Sequence, residues 1–344
     1  MNAARDDNAT YIVRGGNPIS GTLKPGGNKN AALPMLAATL LGGQTTSLEN
    51  VPDIRDVRVM FDLLAELGAT VTTRGPGRWS VDPSTVSTQT LTSSLAGDIR
   101  ASFLLAGPLL GRWGRAVLPR PGGDRIGRRP LDTHLHALIE LGAEVEVLPD
   151  RYLMAAPQGL RGADIFLHEM SVMGTENAIM AAALAEGKTT IHNAASEPHV
   201  QELCRLVESL GCTIRGIGTN VLEIEGQRDL GGATAVIGPD PIEVGSFIGL
   251  AAVTGGHLRI TDARPQQHHR MTRIGFGRLG IQWEEAGNDI VVPAGQSLEV
   301  SEDLTGGIPK IDDGPWPAFP PDLTSIAVVL ATQARGTILI HEKM

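Results

Sequence analysis

The chain has 344 residues, 42% of them hydrophobic, and its 29 Lys+Arg against 38 Asp+Glu give a formal net charge of -9 at pH 7. This length exceeds what one hydrophobic core usually supports, so we expect two domains. The acidic balance disfavours binding to nucleic acid, but a local basic pocket can still hold a small anion.

Two features of the sequence bear on its compartment. Cys204 and Cys212 are the only cysteines, and they lack the spacing of a zinc site or a disulfide framework. Residues 1–10 are polar and acidic, unlike a secretory signal, and no apolar run reaches the roughly 18 residues that span a membrane. We therefore expect a soluble cytoplasmic protein with no metal site and no membrane contact.

In chain order, the predicted elements form a repeat. An amphipathic helix that ends in Leu-Gly and runs into an alternating strand recurs at Leu67-Gly68, Leu141-Gly142, Leu210-Gly211 and Leu279-Gly280. The markers are about 70 residues apart, a period typical of repeated supersecondary units. We expect each glycine to end its helix in a left-handed conformation.

A second recurring element is an apolar helix closed by glycine. It is found in NAALPMLAATLLGG, RASFLLAGPLLGRWG, TENAIMAAALAEG, IEVGSFIGLAAVTGG and TSIAVVLATQARG. A helix that is apolar on all sides is expected to be buried on all sides. Each of these helices precedes a β-branched strand, such as TTIHNA or HLRITDA, so the pattern predicts an α/β fold in which sheets surround buried helices.

The fifth buried helix is followed only by TILIHEKM. The amphipathic helix, its Leu-Gly marker and the next strands of that unit are absent. We infer an incomplete last unit, with a degenerate terminal cap as the alternative.

The first glycine-rich loop is KPGGNKN, residues 24–30, at the start of an apolar helix. Its glycines leave room for a ligand, the helix N-terminus offers unpaired N–H groups, and Lys29 adds a positive charge, so an anion could bind there. A simple capping turn is the alternative.

The second loop, residues 119–132, carries four arginines in the sequence PRPGGDRIGRRPLD. Such crowding of positive charge in an acidic protein indicates an anionic ligand. The alternative is a solvated loop in which Asp124 pairs with Arg125 or Arg128.

Two further loops open helices. SVMGTEN, residues 171–177, is a turn of small residues before a buried helix, and PWPAFPPD, residues 315–322, is a proline-rich turn that places Asp322 at a helix start. A carboxylate in that position acts as a helix cap or as a catalytic base.

The adjacent histidines His268 and His269 in PQQHHRM suggest a metal ligand pair at first sight. Adjacent side chains point in different directions, and no carboxylate follows at ligand spacing. We interpret the segment as a solvated loop.

Taken in order, these motifs resemble the enolpyruvyl-transferase family, and within it the enzymes that act on UDP-N-acetylglucosamine. The resemblance rests on GGNKNAALP, on RAS at residues 100–102, on PGGDRIGRRPLD, on MGTENAIMAAALAEG and on PAFPPD. It covers essentially the whole chain.

The resemblance implies a fold of two domains, each an inside-out α/β barrel with its helices inside and its sheets outside. The first domain would comprise residues 29–239. The second would comprise residues 1–28 plus 240–344 and would be incomplete at its C-terminus.

The resemblance also implies a reaction. The enolpyruvyl group of phosphoenolpyruvate passes to the sugar 3-hydroxyl of UDP-N-acetylglucosamine, phosphate is released, and no metal, organic cofactor or obligate protein partner takes part. This is the first committed step of peptidoglycan synthesis. Catalytic roles fall to Lys29, Asp124 and Asp322, the last as the base that takes the hydroxyl proton.

The substrate-binding residues implied by the resemblance form two groups. Phosphoenolpyruvate would be bound by Lys29, Arg100, Asp124 and Arg129. UDP-N-acetylglucosamine would be bound by Asn30, Arg129, Pro130, Leu131, Asp132, Ser171, Val172, Met173, Gly174, Asp322 and Met344.

Asp124 is the most informative departure from the family pattern, because most members carry cysteine there, the thiol that fosfomycin alkylates. A carboxylate is a far poorer nucleophile toward that epoxide, so we expect fosfomycin resistance. Asp124 could still protonate the methylene carbon of phosphoenolpyruvate if burial or bound phosphate raises its pKa.

Three alternatives stay open at this point. A non-catalytic UDP-sugar-binding protein would explain Asp124 and the incomplete last unit, and an inactive truncated form would explain the latter alone. A transferase acting on shikimate 3-phosphate shares the fold but has no need of the loop Arg129-Pro130-Leu131-Asp132.

Overall fold

A computed structural model describes residues 10–92, 94–123, 130–264 and 268–344. The chain divides into two compact units. Unit 1 comprises Met1–Lys24, Val244–Ile311 and Asp322–His341, and unit 2 comprises Pro25–Glu243, Asp312–Pro321 and Glu342–Met344.

Apolar helices alternate along the chain with amphipathic ones. The helices are α1 (Lys29–Ala38), α2 (Arg55–Glu66), α3 (Ala106–Trp113), α4 (Asp132–Glu140), α5 (Val172–Ala182), α6 (Pro198–Ser209), α7 (Pro241–Thr254), α8 (Arg270–Gly277) and α9 (Thr324–Gln333). Short 3-10 helices cover Pro83–Thr85, Ser94–Gly97, Arg100–Leu105 and Pro321–Leu323.

The strands are short and follow the same repeat. They are β1 (Gly21–Leu23), β2 (Thr46–Glu49), β3 (Thr70–Gly75), β4 (Arg78–Asp82), β5 (Arg115–Pro119), β6 (Glu144–Val147), β7 (Arg151–Ala155), β8 (Asp164–Phe166), β9 (Lys188–His192), β10 (Thr213–Arg215), β11 (Val221–Glu225), β12 (Thr234–Val236), β13 (Leu258–Ile260), β14 (Glu284–Ala286), β15 (Asp289–Val292), β16 (Lys310–Asp312) and β17 (Leu339–His341).

The sheets repeat one topology. In unit 2 the strand orders are β12-β2-β4-β3, β5-β7-β6 and β10-β11-β9-β8, and unit 1 contains β1-β13-β15-β14. The four-stranded sheets each join one parallel pair, β12·β2, β8·β9 or β1·β13, to antiparallel neighbours. The repeat predicted from the Leu-Gly markers is therefore confirmed.

The core of unit 2 is built around helices. The apolar residues of α1, α3 and α5 are buried almost completely, whereas α2 and α6 bury one face only. The strands alternate, as in β9 and β11, where every second residue is buried. One side of each sheet therefore packs on the helices and the other faces solvent.

The four marker glycines adopt positive φ angles, for example 97° at Gly68 and 81° at Gly280. At Gly68, a Cβ would also lie 2.9 Å from the Thr85 carbonyl oxygen. Glycine is therefore needed there for its conformation and for the close approach of the chain, as the left-handed caps predict.

Two predictions about unit 1 are wrong. Helix α9 is not buried on all sides, because Val328 and Val329 are 47% and 53% exposed. His268 and His269 do not lie in a solvated loop, because they are 6% and 2% exposed. Burial, followed by the neighbouring imidazole of His268, lowers the pKa of His269 to about 3.

Within the part of the chain that the structure describes, the longest apolar helices are too short to span a lipid bilayer.

Candidate active site

The three buried helices of unit 2 run in the same direction. Residues at or just after their C-terminal ends, Leu41, Arg112 and Leu184, line one cavity of about 400 Å³. Their N-terminal ends, at Lys29, at Arg100 in the 3-10 helix before α3 and at Val172, therefore lie at the other end of the unit. Helix N-termini carry partial positive charge, so this end attracts anions.

Lys29 stands at the first position of α1. The N-cap residue Asn28 accepts a hydrogen bond from Asn30 N at 2.9 Å, which fixes the start of the helix. The ammonium of Lys29 lies 3.4 Å from Asp56 Oδ2 in the first turn of α2, with both side chains partly exposed. Lys29 is thus a solvent-accessible cation held by one carboxylate.

Arg100 contacts both flanks of the arginine-rich loop. Its Nη2 donates to the Pro130 carbonyl at 2.9 Å, and a Cβ on Gly123 would lie 3.3 Å from Arg100 N. Asp124 and Arg129 lie outside the described residues, so their roles stay predictions. Gly123 and Pro130, which flank the segment 124–129, therefore both lie next to Arg100.

The two predicted UDP-N-acetylglucosamine turns lie side by side. Thr133, just after Asp132, donates through Oγ1 to Glu169 Oε1 at 3.0 Å. A Cβ on Gly174 would lie 3.0 Å from Thr133 Cγ2 and 3.0 Å from Ser171 Oγ. Glycine at 174 thus allows the close approach of the segments 130–132 and 171–174.

A buried polar network connects α4 and α5, the helices that begin at these turns. Asn177 of α5 donates through Nδ2 to the Phe103 carbonyl and to His134 Nδ1, and it accepts from Gly107 N through Oδ1, each at 2.9 Å. The backbone donor Gly107 N fixes which side of the amide is oxygen. His134 Nδ1 must then be an acceptor, and the ring proton is on Nε2.

His134 is neutral in this network. Burial is the main cause, followed by the positive charge of Arg100, and together they lower its pKa to about 3. The hydrogen bond from Asn177 therefore persists across the physiological range. This network links α4 and α5 to the 3-10 helix Arg100–Leu105 through buried hydrogen bonds.

The remaining predicted residues are less closely connected. Asp322 is exposed in the 3-10 helix before α9 and belongs to unit 1. Met344 is exposed in unit 2, where the preceding Lys343 N donates to Asp313 Oδ1 at 2.5 Å. The structure thus places Lys29, Arg100 and the two turns at the same end of unit 2, whereas the placement of Asp322 against them stays a prediction.

Sequence reasoning did not identify three residues of this region: Asp56, His134 and Glu169. Asp56 is one of several acidic residues in a helical first turn, a common preference without functional meaning. Glu169 becomes recognisable only through Thr133, its partner on another element. A signal existed for His134, which follows the arginine-rich loop by a few residues.

Comparison with known proteins identifies the class. The family model for EPSP synthase (3-phosphoshikimate 1-carboxyvinyltransferase) matches residues 13–344. The chain belongs to this family of carboxyvinyl, or enolpyruvyl, transferases. The enzyme class expected from the sequence is confirmed.

Within that family, three of the similar curated proteins carry the name UDP-N-acetylglucosamine 1-carboxyvinyltransferase. The protein of Treponema denticola is 54% identical over 97% of this chain and 78% of its own length. That of Bradyrhizobium diazoefficiens is 51% identical over 97% and 77%. That of Bacteroides thetaiotaomicron is 42% identical over 98% and 78%.

Solved structures support the fold. The enolpyruvyl transferase NikO from Streptomyces tendae has a TM-score of 0.79 at 21% identity and covers 95% of this chain and 76% of its own. An EPSP synthase from Acinetobacter baumannii has a TM-score of 0.69 at 17% identity and covers 95% and 75%. The predicted enolpyruvyl-transferase fold, the inside-out α/β barrel, is therefore confirmed.

Proposed function

We propose that the protein transfers the enolpyruvyl group of phosphoenolpyruvate to the 3-hydroxyl of UDP-N-acetylglucosamine and releases phosphate. The observation that carries the proposal is the 54% identity over 97% of the chain to a relative named for the 1-carboxyvinyl transfer to this acceptor. The cationic end of unit 2, with Lys29 and Arg100 at helix starts, supports it.

Phosphoenolpyruvate is bound at this end by Lys29, Arg100, Asp124 and Arg129. The ion pair of Lys29 with Asp56 is partly exposed, and such pairs contribute only about 0–1 kcal/mol. A phosphate dianion can therefore displace Asp56 from the ammonium at little cost. In this proposal Asp56 keeps Lys29 oriented while the site is empty.

The acceptor binds along the two adjacent turns. Pro130, Leu131 and Asp132 contact it from one side, and residues 171–174 from the other. Asn30 and Met344 complete the set. Because the turns are held by Thr133–Glu169 and by the buried His134–Asn177 bond, the acceptor meets a preformed surface.

The chemical step needs a base and an acid. Asp322 takes the proton of the 3-hydroxyl as its oxygen attacks C2 of phosphoenolpyruvate, and Asp124 protonates C3. The tetrahedral intermediate then loses phosphate from C2 and one proton from its C3 methyl group, which returns to the Asp124 carboxylate, so that the C2=C3 double bond forms again. Cations at Lys29, Arg100 and Arg129 stabilise the negative charge that builds up on the phosphate.

A second candidate is a UDP-sugar-binding protein without turnover. Asp124 favours it, because a carboxyl in a loop with four arginines tends to stay ionised and cannot then act as an acid. Binding of UDP-N-acetylglucosamine without phosphate release would establish this candidate.

We also propose domain boundaries of 29–239 and of 1–28 plus 240–344, small-molecule substrates without an obligate protein partner, and a cytoplasmic location. Cys204 and Cys212, both buried as free thiols, support a reducing compartment.

Phosphate release from phosphoenolpyruvate in the presence and absence of UDP-N-acetylglucosamine tests the function. We expect release only with both substrates, and a loss of at least about 100-fold in Lys29→Met, as for other groups that stabilise transition-state charge. Lys188→Met is the matched control, because Lys188 is an equally exposed lysine paired with Glu223 at 2.7 Å. Equal losses in both variants would contradict the assigned role of Lys29.

A further inference from the structure

Glu176 is a carboxyl group inside the core of unit 2. It lies in α5 and is 1% exposed. Within the described part of the chain, its Oε1 atom is buried without a hydrogen-bond partner. An ionised carboxylate in such a place costs several kcal/mol. The group therefore needs a proton or a partner.

Glu197 is the second buried carboxyl and lies on the adjoining segment, at the start of α6. Ala195 N donates to Thr175 Oγ1 at 2.9 Å, which places the segment 195–197 against the turn of α5 that carries Glu176. The two carboxyl groups interact electrostatically. Glu197 Oε2 is buried without a hydrogen-bond partner in the described residues.

The other oxygen of Glu197 contacts the loop before Asp322. Trp316 N donates to Glu197 Oε1 at 3.5 Å. Within this loop, Gly314 N also donates to the Phe319 carbonyl, and Phe319 is buried. Glu197 thus connects the start of α6 to the segment 312–321, whose last residue precedes Asp322.

The charges around the pair favour one shared proton. Burial, followed by Glu197, raises the pKa of Glu176 well above its usual value. Burial also raises the pKa of Glu197, against backbone hydrogen bonds that include the one from Trp316. Cys204 of α6 also interacts electrostatically with Glu176, and burial raises the pKa of its thiol to about 12, so the thiol is neutral.

We propose that Glu176 keeps a proton on Oε1 and donates it to Glu197 Oε2, and that this acid–carboxylate pair positions the segment 312–321 ahead of Asp322. One proton satisfies both open oxygens. Glu197 keeps its negative charge and remains the acceptor for Trp316 N. The two residues are positioning residues: they act on the loop and through it on the proposed base.

The effect on catalysis rests on the proposed function, whereas the shared proton does not. Two measurements without turnover therefore test the pair. The variants are Glu176→Gln, whose amide can donate as the acid does, Glu197→Gln, and the control Glu208→Gln on the exposed side of α6.

Infrared spectroscopy detects the proton. At neutral pH we expect a C=O stretch of a protonated carboxylic acid in the wild type and in Glu208→Gln, and its loss in Glu176→Gln. A wild type without this band, or a band that persists in Glu176→Gln, overturns the proposal. Far-ultraviolet circular dichroism verifies that Glu176→Gln is folded.

Hydrogen exchange measures the loop. We expect peptides covering 313–321 to exchange at least about tenfold faster in Glu197→Gln, the equivalent of 1.4 kcal/mol, and at the wild-type rate in Glu176→Gln at neutral pH. The intrinsic rate of amide exchange rises with pH. Beyond that rise, we expect these peptides to exchange faster at alkaline pH in the wild type, because Glu176 then loses its proton, but not in Glu176→Gln. Equal exchange rates in wild type and Glu197→Gln overturn the positioning role. Neither measurement depends on whether the protein releases phosphate.

Discussion

The neutral imidazole of His134 makes a prediction about stability and pH. The pKa of this histidine is lowered from 6.5 to about 3, first by burial and then by Arg100. The unfolded chain therefore binds a proton on His134 between these two pH values, whereas the folded chain does not. The stability that His134 contributes is fully present above pH 6.5 and is lost as the pH falls toward 3.

The magnitude follows from linkage. Each pH unit in this window costs about 1.4 kcal/mol for one proton, so the whole window gives a ceiling of about 5 kcal/mol. Residual structure in the unfolded chain and local relaxation reduce this value. A slope of about 1 kcal/mol per pH unit in the free energy of unfolding is the working expectation.

Urea denaturation of the wild type and of His134→Gln at several pH values between 4 and 7 measures the slope. The Gln amide oxygen can accept from Asn177 Nδ2 but does not titrate, so we expect the variant to lack this part of the pH dependence. His136→Gln, on the half-buried side of the same helix, controls for the loss of an imidazole. Parallel curves for wild type and His134→Gln would refute the argument.

Three further outcomes follow. Asn177→Leu should lower the free energy of unfolding by about 2 to 5 kcal/mol, because Gly107 N and the Phe103 carbonyl lose their buried partner. Denaturant titration measures this loss, and a value under about 0.5 kcal/mol would be at odds with the network. Fosfomycin should form no covalent adduct with the wild type, whereas it should form one with Asp124→Cys. Mass spectrometry of the intact protein detects either result. An adduct on the wild type disproves the resistance prediction. Gly174→Ala should weaken calorimetric binding of UDP-N-acetylglucosamine, because its Cβ would lie 3.0 Å from Thr133 Cγ2, and unchanged affinity would argue against two closely packed turns.

Much of the fold could be predicted because its signals are local. The Leu-Gly markers reflect backbone conformation at a helix end, and the apolar helices reflect burial of whole segments. Both kinds of signal depend on neighbouring residues in the sequence. They identified the repeat and, with the loop motifs, the family.

The failures concern properties that depend on tertiary packing. Whether Val328 and Val329 are covered depends on what packs against α9, which its own sequence does not determine. The burial of His268 and His269 likewise depends on the surrounding segments. The bond between His134 and Asn177 joins helices about forty residues apart in sequence, and the spacing gives no sign of it.

The central claim is that one acceptor and one enolpyruvyl donor react on this chain. Mass spectrometry of a mixture of the purified protein, phosphoenolpyruvate and UDP-N-acetylglucosamine tests it most directly. We expect a nucleotide sugar that has gained one enolpyruvyl group and an equal amount of inorganic phosphate. Unchanged UDP-N-acetylglucosamine, bound to the folded protein but never converted, would contradict it.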